Sequence, residues 1–268
     1  MSALNDVEPT TDGTERILNC LPSREPENDW LVDSALAAGL LADRTIPDAK
    51  DLRADWWAIG DQGSTGSCVG WAAGDSVIRW HFVKAGRLSE DQLLSVRYLW
   101  MASKETDVFT SRPTTFIEAD GTSLKAALDI ARNLGVVLDS VLPFGTGELY
   151  RGDSRAFYAI AAQNRIASYF NLGRNLYEWR RWIAENGPIL TRLNVDSSWM
   201  RASDSGGRLR SYDSGTARGG HAVALVGYTG DEFIVRNSWG TIWGDEGFAY
   251  ASDDYASAAF TESYGVAL

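Results

Sequence analysis

The chain contains very little sulfur and imidazole, with two cysteines and two histidines among 268 residues. Two cysteines cannot build the disulfide framework of a small secreted domain, and they fit a protein kept in a reducing compartment. Together with two histidines at these positions, they offer no zinc-type ligand spacing. We therefore expect no metal site and no cofactor.

Targeting signals and excess positive charge are also missing. The N-terminus has neither the basic start nor the apolar run of a signal peptide, and no stretch has the length and apolar character of a membrane span. We expect a cytoplasmic protein without a membrane partner, while secretion that needs no signal stays open. The formal net charge is −11, a surface that repels phosphate backbones, so nucleic acid is not an expected partner.

The hydrophobic fraction of 44% in 268 residues is enough for one large domain or two small lobes. Residues 1–26 are polar and predict loose structure, and residues 29–42 have apolar side chains at helical spacing. We predict that residues 1–46 form an N-terminal extension. The body then covers residues 47–268.

Within the body, the hydrophobic pattern changes between the first half and the second. Residues 60–160 are mostly helical in pattern, whereas residues 161–252 contain several strand patterns and a Ser- and Gly-rich loop at 196–220. The predicted helices are 66–84, 88–103, 122–134 and 176–186, and the predicted strands are 165–170, 189–195, 222–228, 232–236 and 248–251. This order predicts an α+β fold with a helical lobe, a β-rich lobe and a cleft between them.

Cys68 lies at the predicted start of the helix over 66–84, where free backbone N–H groups favour a thiolate. A single cysteine is more often a small buried hydrophobe, so its chemistry depends on a neighbouring imidazole. His81 falls about 20 Å along the same helix at the α-helical rise and cannot contact Cys68. His221 is therefore the available partner, and His81 is predicted to be structural.

A hairpin around Thr229-Gly230-Asp231 brings Asn237 to within about a residue of His221. The pairing of Tyr228 with Asp231 would set His221 opposite Ser238, although the turn register is not fixed by sequence. An Asn side-chain oxygen there would accept the imidazole N–H and leave the other ring nitrogen for the sulfur.

Two further residues complete the candidate site. Gln62 precedes Cys68 on a Gly-rich turn, and its amide would donate to the oxyanion of a tetrahedral intermediate together with the Cys68 N–H. The alternative interpretation of Gln62 is a simple turn residue. Trp239 follows Asn237 by two positions, so it would shield the Asn–His hydrogen bond from water or pack in the core.

These segments resemble the papain-like cysteine peptidases. The resemblance covers roughly residues 47–252, and its most specific part is the block from Asn237 to Phe248. The matching segments are Gln62-Gly63 with Gly66-Ser67-Cys68, Gly220-His221-Ala222-Val223, Val226-Gly227-Tyr228, Asn237-Ser238-Trp239-Gly240, Trp243-Gly244 and Gly247-Phe248. Weaker similarities occur at Asp120-Gly121-Thr122 and Asn186-Gly187-Pro188.

The resemblance implies a two-lobed fold and a peptidase that forms an acyl-enzyme. It assigns Cys68 as the nucleophile, with His221, Asn237 and Gln62 as its catalytic partners. Gly121, Gly220 and Trp239 are the implied substrate-binding residues. The expected partner is a peptide or protein substrate, and we expect a monomer.

Three departures from the family pattern are visible. Thr65 stands where the animal and plant enzymes have a disulfide-forming Cys, and Val69-Gly70 separates Cys68 from Trp71. The N-terminal region is also shorter than the family's helical pro-region. Residues 1–46 are either a short pro-segment, with residues 29–42 lying across the cleft, or a surface extension.

Three functions remain open from sequence. The first is peptide hydrolysis. In the second, the same triad passes the acyl group to an amine or acts on a side-chain amide, as in a transamidase, ligase or deamidase. The third is a catalytically silent module that binds a peptide in the cleft.

Overall fold

The computed structural model describes residues 7–10, 13–42, 45–106, 120–145 and 150–268, so residues 1–6 and 11–12 of the predicted loose N-terminus lie outside the described residues. Helices dominate the first half of the body, and a large sheet dominates the second. The helices are α1 (Val32–Ala37), α2 (Cys68–Gly70), α3 (Arg79–Lys84), α4 (Val96–Thr106), α5 (Leu124–Asn133), α6 (Ser154–Ala161), α7 (Leu176–Glu185), α8 (Ser197–Met200) and α9 (Asp253–Ala259). Within these described ranges, no helix combines the length and apolar character needed to cross a membrane.

The strands form a large sheet and a small N-terminal ribbon. In the large sheet the order is β4-β10-β5-β7-β8-β9-β6, with β3 paired to β7, and β1 and β2 pair separately. The strands are β1 (Val7–Pro9), β2 (Glu15–Ile17), β3 (Ala49–Asp51), β4 (Ser168–Asn171), β5 (Ile189–Val195), β6 (Arg208–Leu209), β7 (Gly219–Thr229), β8 (Glu232–Arg236), β9 (Phe248–Ser252) and β10 (Phe260–Ala267). The sheet therefore continues beyond residue 252, the predicted end of the β-rich lobe.

The helix predicted over 66–84 is present and begins at Cys68. It runs through α2, a π-helical stretch from Trp71 to Ile78, and α3. Gly70 lets this helix approach α4, because a Cβ there would lie 2.8 Å from the Val96 carbonyl oxygen. The Val69-Gly70 departure from the family pattern thus has a packing reason.

The helix predicted over 88–103 begins later, at Val96. The guanidinium of Arg79 donates to the carbonyl oxygens of Glu90 and Gln92, at 2.8 and 3.0 Å. Those carbonyls are held by a tertiary contact instead of forming a helical turn. The side chain of Ser95 then accepts from the Tyr98 N–H and begins α4.

The predicted hairpin of β7 and β8 forms, but its register is different. Thr229 pairs with Glu232 across a two-residue loop, and an irregularity between Leu225 and Gly227 shifts the pairing by one residue. The predicted pairing of Tyr228 with Asp231 is therefore wrong. A β-bulge of this kind inserts an extra residue, which the alternation of the sequence did not reveal.

The segment predicted as a helix over 29–42 contains only the short helix α1, which is followed by Gly39 at φ +72°. It packs outside the groove, because Asn171 N–H donates to the Trp30 carbonyl and Asn186 reaches the Leu40 carbonyl. Residues 29–42 therefore do not lie across the cleft. A different part of the N-terminal region does.

A buried charge cluster joins the two lobes. Arg236 of β8 donates to Asp75 of the central helix at 2.9 Å and to Ser76 at 2.7 Å, and Arg79 reaches the other Asp75 oxygen at 3.2 Å. All four side chains are buried. The helix that begins at Cys68 is thus tied directly to the strand that precedes Asn237.

Candidate active site

The Cys68 sulfur lies at the first helical residue of the central helix and is wholly buried. The loop before it is closely packed, because Gly60 lies flat against the Trp71 ring, where a Cβ would come within 2.1 Å. Trp71 in turn meets Phe144 edge to face, with ring centroids 5.2 Å apart. Packing within the helical lobe therefore holds the loop before Cys68 against the central helix.

His221 on β7 and Asn237 after β8 are in contact, as the sequence predicted. The His221 Nε2 and the Asn237 Oδ1 are 2.7 Å apart. Within the described chain His221 Nδ1 has no nitrogen or oxygen partner, which leaves it for the Cys68 sulfur. The contact forms despite the changed register because Asn237 lies just past the last paired residue of β8.

Tryptophan rings enclose the imidazole. Trp239 lies against the His221 ring, with centroids 4.8 Å apart and planes inclined by 40°, and Trp199 meets the same ring edge to face at 5.8 Å. Both tryptophans are wholly buried. Trp239 thus packs against the imidazole and helps to exclude water from the His–Asn pair.

Gln62, six residues before Cys68 in the chain, connects the two lobes. Its side-chain Nε2 donates to the Thr65 carbonyl at 2.9 Å, and its Oε1 accepts from the Ser238 hydroxyl at 2.9 Å. Its backbone N–H donates to the Ser238 carbonyl at 2.8 Å. An amide nitrogen has two hydrogens, so Nε2 keeps a second one for another acceptor.

An extended N-terminal segment, residues 16–23, lies in the groove between the lobes. Cys20 N–H donates to the Gly220 carbonyl of the β-rich lobe, and Leu21 N–H donates to the Thr122 carbonyl of the helical lobe, each at 3.0 Å. The Cys20 carbonyl accepts from Arg192 Nε at 2.9 Å. These bonds make the segment an added strand that bridges the two walls.

The two predicted substrate-binding glycines, Gly121 and Gly220, face this segment. A Cβ on Gly121 would lie 2.0 Å from the Asn19 carbonyl oxygen, and one on Gly220 would lie 2.1 Å from the Cys20 carbonyl oxygen. Each position therefore needs glycine for the chain to fit in the groove. The backbone of an extended peptide is what these two glycines accommodate.

Arg16 anchors the start of the segment over the site. Its guanidinium donates to Asp61 at 2.6 Å, to the Gly63 carbonyl at 3.1 Å and to the Trp239 carbonyl at 3.1 Å. It also lies over the Trp239 ring, 5.4 Å from the centroid. At the other end, Ser23 N–H donates to a Glu262 carboxylate oxygen at 3.0 Å.

The thiol of Cys20 contacts the thiol of Cys68. The hydrogen bond from Cys20, followed by the interaction with His221, lowers the pKa of the Cys68 thiol well below its usual value, although burial opposes this shift. Burial and the same contact raise the pKa of the Cys20 thiol. Of the two thiols, Cys68 therefore has the lower pKa and Cys20 the higher one.

Sequence reasoning did not identify Cys20, Arg16 or Arg192 as site residues. Arg192 occupies β5 opposite Ala222, one position from His221, and Cys20 comes from a region predicted to be loose. The pairing of the N-terminal segment with both lobes brings Arg16 and Cys20 to the groove, where Arg192 of β5 meets Cys20. Among the described residues, no three His, Cys, Asp or Glu side chains converge as metal ligands.

The chain is similar in sequence to known cysteine proteases. A family model described as papain family cysteine protease matches residues 46–266. A cathepsin L-like proteinase of Fasciola hepatica is 25% identical over 211 residues, covering 76% of this chain and 60% of the relative. Cathepsin J of Rattus norvegicus is 29% identical over 220 residues, covering 78% and 61%. The chain therefore spans about three fifths of the length of these relatives.

Solved structures show the same fold. The crystal structure of xylellain, a cysteine protease from Xylella fastidiosa, matches with a TM-score of 0.77 at 19% identity and covers 99% of both chains. The digestive procathepsin L2 proteinase of Tenebrio molitor matches with a TM-score of 0.66 at 19% identity, over 93% of this chain and 77% of that one. The predicted two-lobed α+β fold is confirmed, and the chain belongs to the papain family of cysteine proteases.

Proposed function

We propose that the chain is a cysteine peptidase that hydrolyses peptide bonds of a peptide or protein substrate. The observation that carries the proposal is the hydrogen-bonded His221–Asn237 pair next to the Cys68 thiol, whose pKa is lowered, in a groove that already accepts an extended backbone. The proposed enzyme works as a monomer in a reducing compartment, in keeping with two free cysteines.

In this mechanism each of the four side chains has a defined role. The Cys68 thiolate attacks the scissile carbonyl carbon, while its own N–H and the second Nε2 hydrogen of Gln62 bind the oxyanion. His221 gives a proton to the departing amine, which leaves a thioester on Cys68, and then takes a proton from the attacking water. Asn237 holds the ring so that Nδ1 faces the sulfur.

We further propose that residues 1–46 are a pro-segment, in which residues 16–23 block the groove. Their backbone uses hydrogen-bonding groups on both walls, and the Cys20 thiol contacts the nucleophile. A peptide cannot enter until this segment leaves. Arg16, which binds the loop before Cys68 and the Trp239 carbonyl, keeps the segment in place.

The test is a peptide library incubated under reducing conditions with the full chain, with a chain lacking residues 1–25, and with the Cys68→Ala form of each. Mass spectrometry of the products should show cleavage by the shortened chain, much slower cleavage by the full chain and none by either Ala variant. Cleavage by a Cys68→Ala variant would contradict the proposed peptidase. Equal cleavage rates for the full chain and the chain lacking residues 1–25 would contradict the proposed pro-segment.

The same experiment separates the remaining candidates. With an added amine, a transamidase or ligase would give amide-linked products, whereas a peptidase gives free carboxylates. A deamidase would change side-chain amides and leave the backbone intact. A silent binding module would give no product and would not react with an epoxysuccinyl thiol probe.

A further inference from the structure

The backbone of Cys20 is fixed on both sides of the residue. Its N–H donates to Gly220 and its carbonyl accepts from Arg192, at 3.0 and 2.9 Å. The side chain is only 2% exposed. Cys20 is therefore held at one place in the groove and is not a mobile surface thiol.

That place is beside the other cysteine of the chain. The side chain of Cys20 interacts with the Cys68 thiol, although the two residues belong to an N-terminal strand and to the central helix. The Cys20 thiol also donates to the Leu21 carbonyl oxygen at 3.8 Å. Both are free cysteines, and the sequence contains no third. A bond between them can thus form without any competing partner in the same chain.

The two sulfurs have complementary chemistry. Cys68, whose thiol pKa is lowered, is the sulfur that attacks a peroxide first, and the neighbouring Cys20 thiol can then resolve the product. A disulfide needs sulfurs about 2 Å apart and Cβ atoms about 4 Å apart, so the two sulfurs must move towards each other for the bond to form. The backbone hydrogen bonds hold Cys20 in the groove, and a small adjustment of these bonds brings its sulfur towards Cys68 without releasing the segment.

We propose that Cys20 and Cys68 form a reversible disulfide that locks the N-terminal segment in the groove when the protein meets a peroxide. This extends the proposed function, since it regulates the same nucleophile. Local opening of residues 18–22 admits the oxidant, and the segment then returns to its strand position.

The reaction balances in two steps. The Cys68 thiolate attacks one oxygen of hydrogen peroxide, the O–O bond breaks, and a sulfenic acid and hydroxide form. The Cys20 sulfur then attacks the Cys68 sulfur, the S–O bond breaks and, with the thiol proton, water leaves. Two electrons pass from the two sulfurs to the peroxide, and a small thiol such as dithiothreitol returns them.

Two consequences follow from the position of the bond. The disulfide occupies the nucleophile and ties down the blocking segment, so the oxidised chain can neither attack a peptide bond nor release the segment. It also stops oxidation at a reversible stage, because a sulfenic acid without a resolving thiol proceeds to sulfinic and sulfonic acids.

The test uses the full chain treated with hydrogen peroxide, alkylated under denaturing conditions and digested without reductant. Mass spectrometry should identify one linked pair of peptides, one with Cys20 and the other with Cys68, two hydrogens lighter than the separate peptides. The free thiol count should fall from two to zero and return to two with dithiothreitol. Sulfinic or sulfonic acid on Cys68 with Cys20 still alkylated would overturn the proposal.

The matched control is Cys20→Ser, which keeps the size of the side chain and removes the resolving sulfur. The same peroxide dose should then leave Cys68 in a form that dithiothreitol does not restore. A second control, Cys20→Ser with Ser23→Cys, moves the thiol within the segment and should give no linked peptide. Full recovery of Cys68 in the single variant, or equal linkage in the double one, would count against a specific pair.

These results are independent of peptidase activity, because they are peptide masses and thiol counts. If the disulfide forms but the reduced, shortened chain cleaves nothing, the proposed function fails and the thiol pair stands. If the shortened chain cleaves peptides and no disulfide forms, the proposed function stands and the proposed disulfide fails. Should either cysteine variant not fold, the mapping of the unaltered chain still decides the proposal.

Discussion

The two walls of the groove hold their reactive groups in different ways. On the strand wall, His221 is fixed from within its own lobe by Asn237 and by the rings of Trp199 and Trp239. On the helical wall, the Cys68 thiol has its pKa lowered by groups from elsewhere, first Cys20 and then His221. Core packing therefore fixes the orientation of the imidazole, whereas interactions with neighbouring polar groups set the pKa of the Cys68 thiol.

Because of this difference, substitutions on the two walls should have different effects. Changes on the strand wall should weaken the folded state together with activity, because the site residues there are part of the core. Changes around the thiol should alter the reaction and leave the fold nearly intact.

The largest expected effect is on the strand wall. Trp239→Ala should lower the free energy of unfolding by about 3–5 kcal/mol, since it removes a wholly buried ring and leaves a cavity against His221. Urea denaturation measures this loss. The nearby Ile242→Ala, whose side chain is 70% exposed, should change stability by less than about 0.5 kcal/mol. Similar losses for the two variants would contradict the comparison.

A slightly smaller effect is expected beside the thiol. Gln62→Ala should lower kcat/KM by about 100- to 1000-fold, or roughly 2.7–4 kcal/mol, by removing an oxyanion donor. The assay uses a peptide cleaved by the chain without residues 1–25.

Ser238→Ala is the matched control for Gln62. It removes only the hydrogen bond to Gln62 Oε1, so it should lower the rate about fivefold, in line with roughly 1 kcal/mol for one hydrogen bond. Equal losses in Gln62→Ala and Ser238→Ala would make Gln62 a structural residue.

The smallest effect concerns the other histidine. Burial lowers the pKa of His81 from 6.5 to about 4, so the folded state loses stability as pH falls from 6.5 towards 4 and keeps it above 6.5. Between pH 7 and 5 this amounts to about 2 kcal/mol. His81→Gln cannot take up this proton. Its free energy of unfolding should therefore fall by about 2 kcal/mol less than that of the unaltered chain between pH 7 and pH 5, as measured by urea denaturation at both pH values. An equal loss in both proteins would show that His81 does not cause it.

Much of this arrangement could be predicted from sequence because local patterns determine it. Apolar spacing predicted the helix over 66–84, which begins at Cys68, and strand and hairpin patterns predicted β5 and β8 with their observed bounds. The contact of His221 with Asn237 followed from a hairpin signal. These features depend on residues close together in the chain.

The parts that could not be predicted depend on distant contacts. Arg79 binds the carbonyl oxygens of Glu90 and Gln92, so α4 does not extend back towards Leu88. A bulge in β7 changes the register of the hairpin. The last strand, β10, lies between β4 and β5, although its sequence alternates weakly. Nothing near Cys20 in the sequence indicates that its thiol meets Cys68.

The central claim is that His221 keeps the Cys68 thiol ionised in the open groove. The most direct measurement is the rate of alkylation by iodoacetamide as a function of pH, in the chain lacking residues 1–25, where Cys68 is the remaining cysteine. We predict that the midpoint lies well below the ordinary thiol pKa of about 8.5 and that His221→Ala moves it back towards that value. A midpoint near 8.5 in both proteins would contradict the account.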